Sequence, residues 1–236
     1  PKGAINRAPT RSSNRQRLLA KVRNFWITGV LEHSLYGAAL ITLGLREQAE
    51  AVASPWRLIV QQPGLTPQRL PAGTSITQAY DDAGGELLIL GEPGSGKTTL
   101  LLELARDLLD RAEKSDTYPM PVVFNLSSWA ATRQPITSWL IDELNSKYQA
   151  PRKMAQGWVE SDQILPLLDG FDEVTPAARA DCLDAINAFR QEHGLLPTVV
   201  CSRNADYFAQ KIPIQLSSAV MAVSYTHLTL PTILRV

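Results

Sequence analysis

The run ELLILGEPGSGKTTLLLELA, residues 86–105, decides how the rest of the chain is read. It opens with Leu87–Leu90, a short apolar stretch stopped by a glycine, the pattern of a strand buried on both faces. From Lys97 onward, Leu100, Leu101, Leu104, Leu108 and Leu109 recur at helical spacing and predict a helix to Arg111 with one apolar side. Between strand and helix, Gly91, Gly96, Lys97 and Thr98 satisfy the pattern G-x-x-x-x-G-K-[ST].

That spacing has a chemical reason. Glycines let the backbone curl until successive N–H groups point inward at phosphate oxygens, and the helix that follows adds the partial positive charge of its N-terminus. The segment Gly91, Glu92, Pro93, Gly94, Ser95, Gly96, Lys97, Thr98 and Thr99 is therefore the expected nucleoside triphosphate cradle. Lys97 would reach the β- and γ-phosphates, Thr98 would offer its hydroxyl to Mg²⁺, and Thr99 would sit near the α-phosphate. A strand directly before and a leucine-rich helix directly after are the context that separates this motif from a chance glycine turn.

A second constellation lies in ILPLLDGFDEV, residues 164–174. An apolar strand ending in Asp169 carries a carboxylate to the C-terminal edge of a parallel sheet, where ligands of such sheets collect. Asp169 is expected to hold Mg²⁺ opposite Thr98. Asp172 and Glu173, within one further turn, are candidates to orient or deprotonate the attacking water. The strand Thr198–Cys201 leads into Arg203, a candidate for sensing the γ-phosphate charge. Trp129 and Trp139 read as core aromatics.

Outward from these motifs the pattern is alternating. Strands are expected at Pro121–Asn125, Gln163–Leu168, Thr198–Cys201 and within 212–221, and helices at Ile136–Tyr148 and Pro176–Gln191. Strands separated by helices imply right-handed crossovers and a parallel sheet of about five strands covered on both faces, an α/β fold. Ile76–Tyr80 reads as a short approach and 81–85 as a turn. A small helical segment precedes: Leu18, Leu19, Val22, Phe25, Trp26, Val30 and Leu31 predict a helix over 14–35, with a second over 36–52 and a short strand over 56–60. The Pro- and Gly-rich stretch 61–73 reads as a loop, which puts the boundary of the nucleotide-binding core at 74.

Lys plus Arg and Asp plus Glu each number 23, so no global field draws nucleic acid. Seven basic residues and no acidic one fall within 1–23, which reads as a linker (1–13) and a helix start rather than a nucleic-acid or membrane arm. Two cysteines without metal-ligand spacing fit a reduced, cytoplasmic setting. No apolar stretch is long enough to span a bilayer.

With LLILGEPGSGKTTLLLELA, PVVFNLSSW, ILPLLDGFDEV and VVCSR in this order, the chain resembles NACHT domains over about 76–222. These belong to the signal-transduction (STAND) branch of P-loop NTPases, of the additional-strand type. Gly170 directly after Asp169 separates this pattern from AAA+ motors, which place a Glu there. The resemblance implies a sheet with the Arg203 strand between the P-loop strand and the Asp169 strand. It also implies ATP or GTP binding with Mg²⁺, slow hydrolysis, and nucleotide-controlled homo-oligomerisation that activates an effector, in animal inflammasome sensors and in bacterial defence. Family members continue into a helical lid and a winged helix and carry sensor and effector modules. None of these is identified in the sequence, so weak binding and poor turnover are expected of this piece alone. A turnover ATPase of the AAA+ remodelling kind, or a degenerate nucleotide-binding module, are the competing readings.

The last residues, VSYTHLTLPTILRV over 223–236, read as a translated sequencing adapter rather than natural coding sequence. The natural frame is expected to continue beyond Ala222.

Overall fold

The computed structural model describes residues 11–34, 56–61, 68–71, 74–194 and 196–224. Its centre is a parallel sheet built from the apolar runs read above: β3 (Glu86–Gly91), β4 (Met120–Asn125), β5 (Ile164–Asp169), β6 (Thr198–Arg203) and β7 (Ser218–Ser224). Two strands earlier in the chain, β1 (Trp56–Gln61) and β2 (Gln68–Arg69), extend it antiparallel, giving the order β2-β1-β7-β3-β6-β5-β4. The five parallel strands thus run β7-β3-β6-β5-β4, with β6 between β3 and β5 as the resemblance implied.

Proline placement fits this order. Pro121 lies in β4, which among the described residues pairs only with β5, and an edge strand tolerates a missing donor. Pro166 lies in the inner strand β5, but its partnership with β6 begins at Leu167.

Helices cover the sheet. They are α2 (Ile76–Asp82), α3 (Lys97–Lys114), α4 (Leu126–Thr132), α5 (Ile136–Ser146), α6 (Arg152–Glu160), α7 (Arg179–Glu192) and α8 (Asn204–Phe208). Leu100, Leu101, Leu104, Leu108 and Leu109 of α3 are all buried, as its spacing required. Trp129 and Trp139 are core residues whose indole N–H groups donate to Gln134 O and Ser128 Oγ.

Several local readings need correction. Ile76–Tyr80 is the body of helix α2 rather than a bare approach, because Ser75 Oγ accepts from Gln78 N and caps it. The helix read from Pro176 starts as a 3₁₀ turn and becomes α-helical only at Arg179. The last strand begins at Ser218, and it includes Val223 and Ser224, which pair with Arg57 and Trp56. The helix expected over 36–52 and most of the 223–236 tail lie outside the described residues.

The first helix departs most instructively. It is α-helical over Arg11–Val22 (α1) and continues as a π-helix over Arg23–Leu31. The wider π turn, with Glu32 N donating to Ile27 O, advances the buried stripe. Ile27 and Leu31 are buried, whereas Phe25 and Val30, expected on the apolar face, are 51% and 39% exposed.

The basic run is what fastens this helix. The buried Arg15 guanidinium donates from Nη2 to Ala112 O (3.0 Å), Ser115 O (3.1 Å) and Tyr118 O (2.6 Å), capping the C-terminus of α3. Arg23 pairs with Asp110 and Glu113 on the same helix, and Lys21 donates to Tyr148 O. Arg15→Ala leaves those carbonyls without their charged donor and is expected to lower stability by about 2 kcal/mol. Denaturant midpoints at constant m-value would measure this.

Candidate functional site

The parallel register brings the C-terminal ends of four strands to one edge. Gly91 of β3 pairs with Arg203 of β6, and Asn125 of β4 pairs with Asp169 of β5. Every site residue expected from the sequence lies along this edge.

The phosphate loop joins Gly91 to α3. Gly94 (φ 74°) and Gly96 (φ 82°) take left-handed conformations that bend the backbone into a cradle, and Ser95 N donates to Glu92 O at 3.1 Å. Glu92, Pro93 and Gly94 are exposed at its crest, while Ser95 is buried with an unpartnered hydroxyl. The first N–H groups of α3, at Lys97, Thr98 and Thr99, precede the first intrahelical acceptor and need partners from outside the helix. Lys97 Nζ folds over the loop and donates to Gly91 O (3.2 Å) and Glu92 O (3.1 Å).

Across the cleft, Thr98 Oγ1 donates to Asp169 Oδ2 at 2.9 Å. Asp169 Oδ1 accepts from Gly170 N, also at 2.9 Å. Burial holds the Asp169 carboxyl above the usual carboxylate range; the Thr98 and Gly170 donors pull it back, and the charges of Glu173 and Asp172 push it further up. Among the described residues no group of three or more His, Cys, Asp or Glu converges to hold a metal unaided. Thr98 and Asp169 fit Mg²⁺ only if phosphate oxygens complete its shell, which is how this ion binds with a triphosphate.

Behind Asp169 the backbone turns at Gly170 (φ 76°) into a 3₁₀ turn, Phe171–Glu173. Asp172 Oδ2 accepts from Arg203 Nε at 2.7 Å. Arg179 braces the turn, donating to Asp172 O and Val174 O (3.0 Å each) and pairing with Asp206 at 2.7 Å. Glu173 accepts from Asn125 Nδ2 at 3.0 Å, and Asn204 Nδ2 donates to Glu92 Oε1 at 2.9 Å.

Asn125, Asn204 and Arg179 were not singled out from sequence. Asn125 ends the strand PVVFN, and a polar residue closing an apolar run is the signal that marked Asp169. Arg179 reads as an ordinary first-turn helix charge.

A cradle at the start of α3, a carboxylate facing it from the neighbouring strand end but one, and this strand order define a P-loop NTPase. The family model of the NACHT domain matches residues 86–204, and the chain belongs to that family. A comparison with curated proteins finds no match. Among the described residues no helix is long and apolar enough to cross a membrane.

Proposed function

We propose that this chain is the nucleotide-operated switch module of a STAND-class signalling protein. It binds Mg·ATP or Mg·GTP, hydrolyses it slowly in a cytoplasmic setting, and uses the nucleotide state to control self-association and an effector, as in bacterial defence. The observation that carries the reading is the 2.9 Å bond from Thr98 to Asp169, which brings the phosphate loop and the acidic strand end to one point.

In this reading the Gly91–Thr99 backbone cradles the phosphates and Lys97 turns from its two loop carbonyls to the β- and γ-oxygens. Thr98 and Asp169 hold Mg²⁺. When bound, that ion neutralises the charge shared by the β- and γ-phosphates. Arg203 counters γ-phosphate charge, and the Asp172–Glu173 turn orients water. Two of these cations already have partners, Lys97 on the loop and Arg203 on Asp172, so triphosphate binding exchanges one set of contacts for another. A site that must change partners to bind suits a two-state switch better than a continuous motor.

Sedimentation of the chain with Mg·ATP, Mg·GTP, Mg·ADP and no nucleotide tests the proposal. A larger species with one triphosphate alone, decaying as hydrolysis proceeds, is the expected result. Rapid steady turnover without any change in mass would overturn it in favour of a work-performing ATPase.

A further inference from the structure

We infer that Asn204 is a positioning residue for nucleotide binding: it holds the Glu92 carboxylate off the Lys97 ammonium and so keeps that cation available to the triphosphate. The inference rests on the nucleotide-binding reading above.

Glu92 is the one acidic residue of the Gly91–Thr99 loop, and Lys97 is its one cation. The pattern G-x-x-x-x-G-K-[ST] leaves position 92 open, and a cradle for anions gains nothing from a carboxylate there. The Glu92 carbonyl is already engaged, accepting from Ser95 N and from Lys97 Nζ, both at 3.1 Å. The residue that takes the ammonium on its carbonyl thus carries a carboxylate on the same α-carbon. A glutamate side chain is long enough to turn back to a cation bound there. A carboxylate binds an ammonium more strongly than neutral carbonyls do. Left loose, Glu92 would compete with phosphate for Lys97.

The carboxylate is held elsewhere. Asn204 Nδ2 donates to Glu92 Oε1 at 2.9 Å. The sheet register explains the meeting: Gly91 of β3 pairs with Arg203 of β6, and the strands are parallel, so Glu92 and Asn204 leave the same edge as neighbours. The carboxylate also settles which way the amide faces, because only the NH₂ group can donate to it.

A second observation sets this amide apart from an ordinary structural one. Its Oδ1 is buried and, among the described residues, has no hydrogen-bond partner. A buried amide oxygen without a partner opposes folding, so stability alone does not account for the residue. Its chemistry fits the positioning role. A neutral amide satisfies the carboxylate without bringing a second cation to the loop. The neighbouring Arg203 guanidinium is instead taken up by Asp172 at 2.7 Å.

Isothermal titration calorimetry with Mg·ATP and Mg·GTP tests the inference on wild type, Asn204→Ala, Glu92→Gln and the Asn204→Ala/Glu92→Gln pair. Asn204→Ala is expected to weaken binding about fivefold, the range of an exposed ion pair that must be broken first. In the Glu92→Gln background the same change should alter Kd less than about twofold, since no carboxylate is left to capture Lys97. Asn204→Asp, equal in size to the native residue, repeats the test should the alanine variant fold poorly. It removes the donor and sets two carboxylates together, so its loss should be at least as large. Adding Glu92→Gln should recover most of it, because the glutamine amide then donates to the aspartate. A wild-type or tighter Kd in Asn204→Ala overturns the inference, as does an equal loss in both Glu92 backgrounds, and either leaves the nucleotide-binding reading standing. Failure of wild type to bind either nucleotide overturns both.

Discussion

Lys97→Ala is expected to weaken Mg·ATP or Mg·GTP binding by about a hundredfold or more while leaving the nucleotide-free fold almost unchanged. The ammonium donates to Gly91 O and Glu92 O at the mouth of the loop, in a half-exposed position where water can replace it. Losing those two bonds should cost little, within about 0.5 kcal/mol of the surface-substitution range. Against a triphosphate the same group makes charge-assisted bonds to anionic oxygens beside a helix N-terminus. A hundredfold change in affinity is about 2.7 kcal/mol, a reasonable loss for one such ammonium. Isothermal titration calorimetry gives the affinity and thermal melting the stability. Equal affinities in variant and wild type would mean that Lys97 never leaves its carbonyls, and the cradle would have lost its main cation.

Asp169→Asn is expected to abolish the magnesium-dependent part of nucleotide stabilisation while holding or raising the melting temperature of the free protein at neutral pH. Burial, with a smaller push from the charges of Glu173 and Asp172, holds this carboxyl above its usual range, so the folded state binds its proton more tightly than the unfolded state does. The stability attached to that proton is present below the unfolded pKa and is lost as pH rises through the folded one. At neutral pH the ionised group therefore opposes folding, and an amide removes that cost. The amide also keeps both contacts: its oxygen accepts from Gly170 N, and its NH₂ donates to Thr98 Oγ1 once the hydroxyl rotates. Melting curves with nucleotide plus Mg²⁺ and nucleotide plus EDTA separate the terms. A magnesium-dependent shift that survives in Asp169→Asn would place the ion elsewhere.

The parts of this protein that were legible from sequence are those whose cause is local. Gly91–Thr99 spells out a strand end, a glycine bend and a helix start within nine residues, and Asp169 closes an apolar run. The partner of Glu173 was not legible, because Asn125 lies 48 residues earlier and meets it only through the β4–β5 register. The exposed Phe25 was misplaced because helical spacing assumes an α turn, and the π turn after Arg23 shifts which residues face inward. The basic residues near the start looked like a solvated face. Arg15, Lys21 and Arg23 instead find acceptors around 90 to 130 positions further on, a distance over which no sequence window carries information.

The helix α3 holds the phosphate cradle at its first turn and the Arg15 guanidinium at its last. Its 18 residues make a strut about 27 Å long. Such a strut transmits tilt more readily than it bends. A triphosphate that re-seats the near end would therefore swing the far end, and with it the clamp on the N-terminal helix. The cradle and the Arg15 clamp are thus two ends of one rigid element.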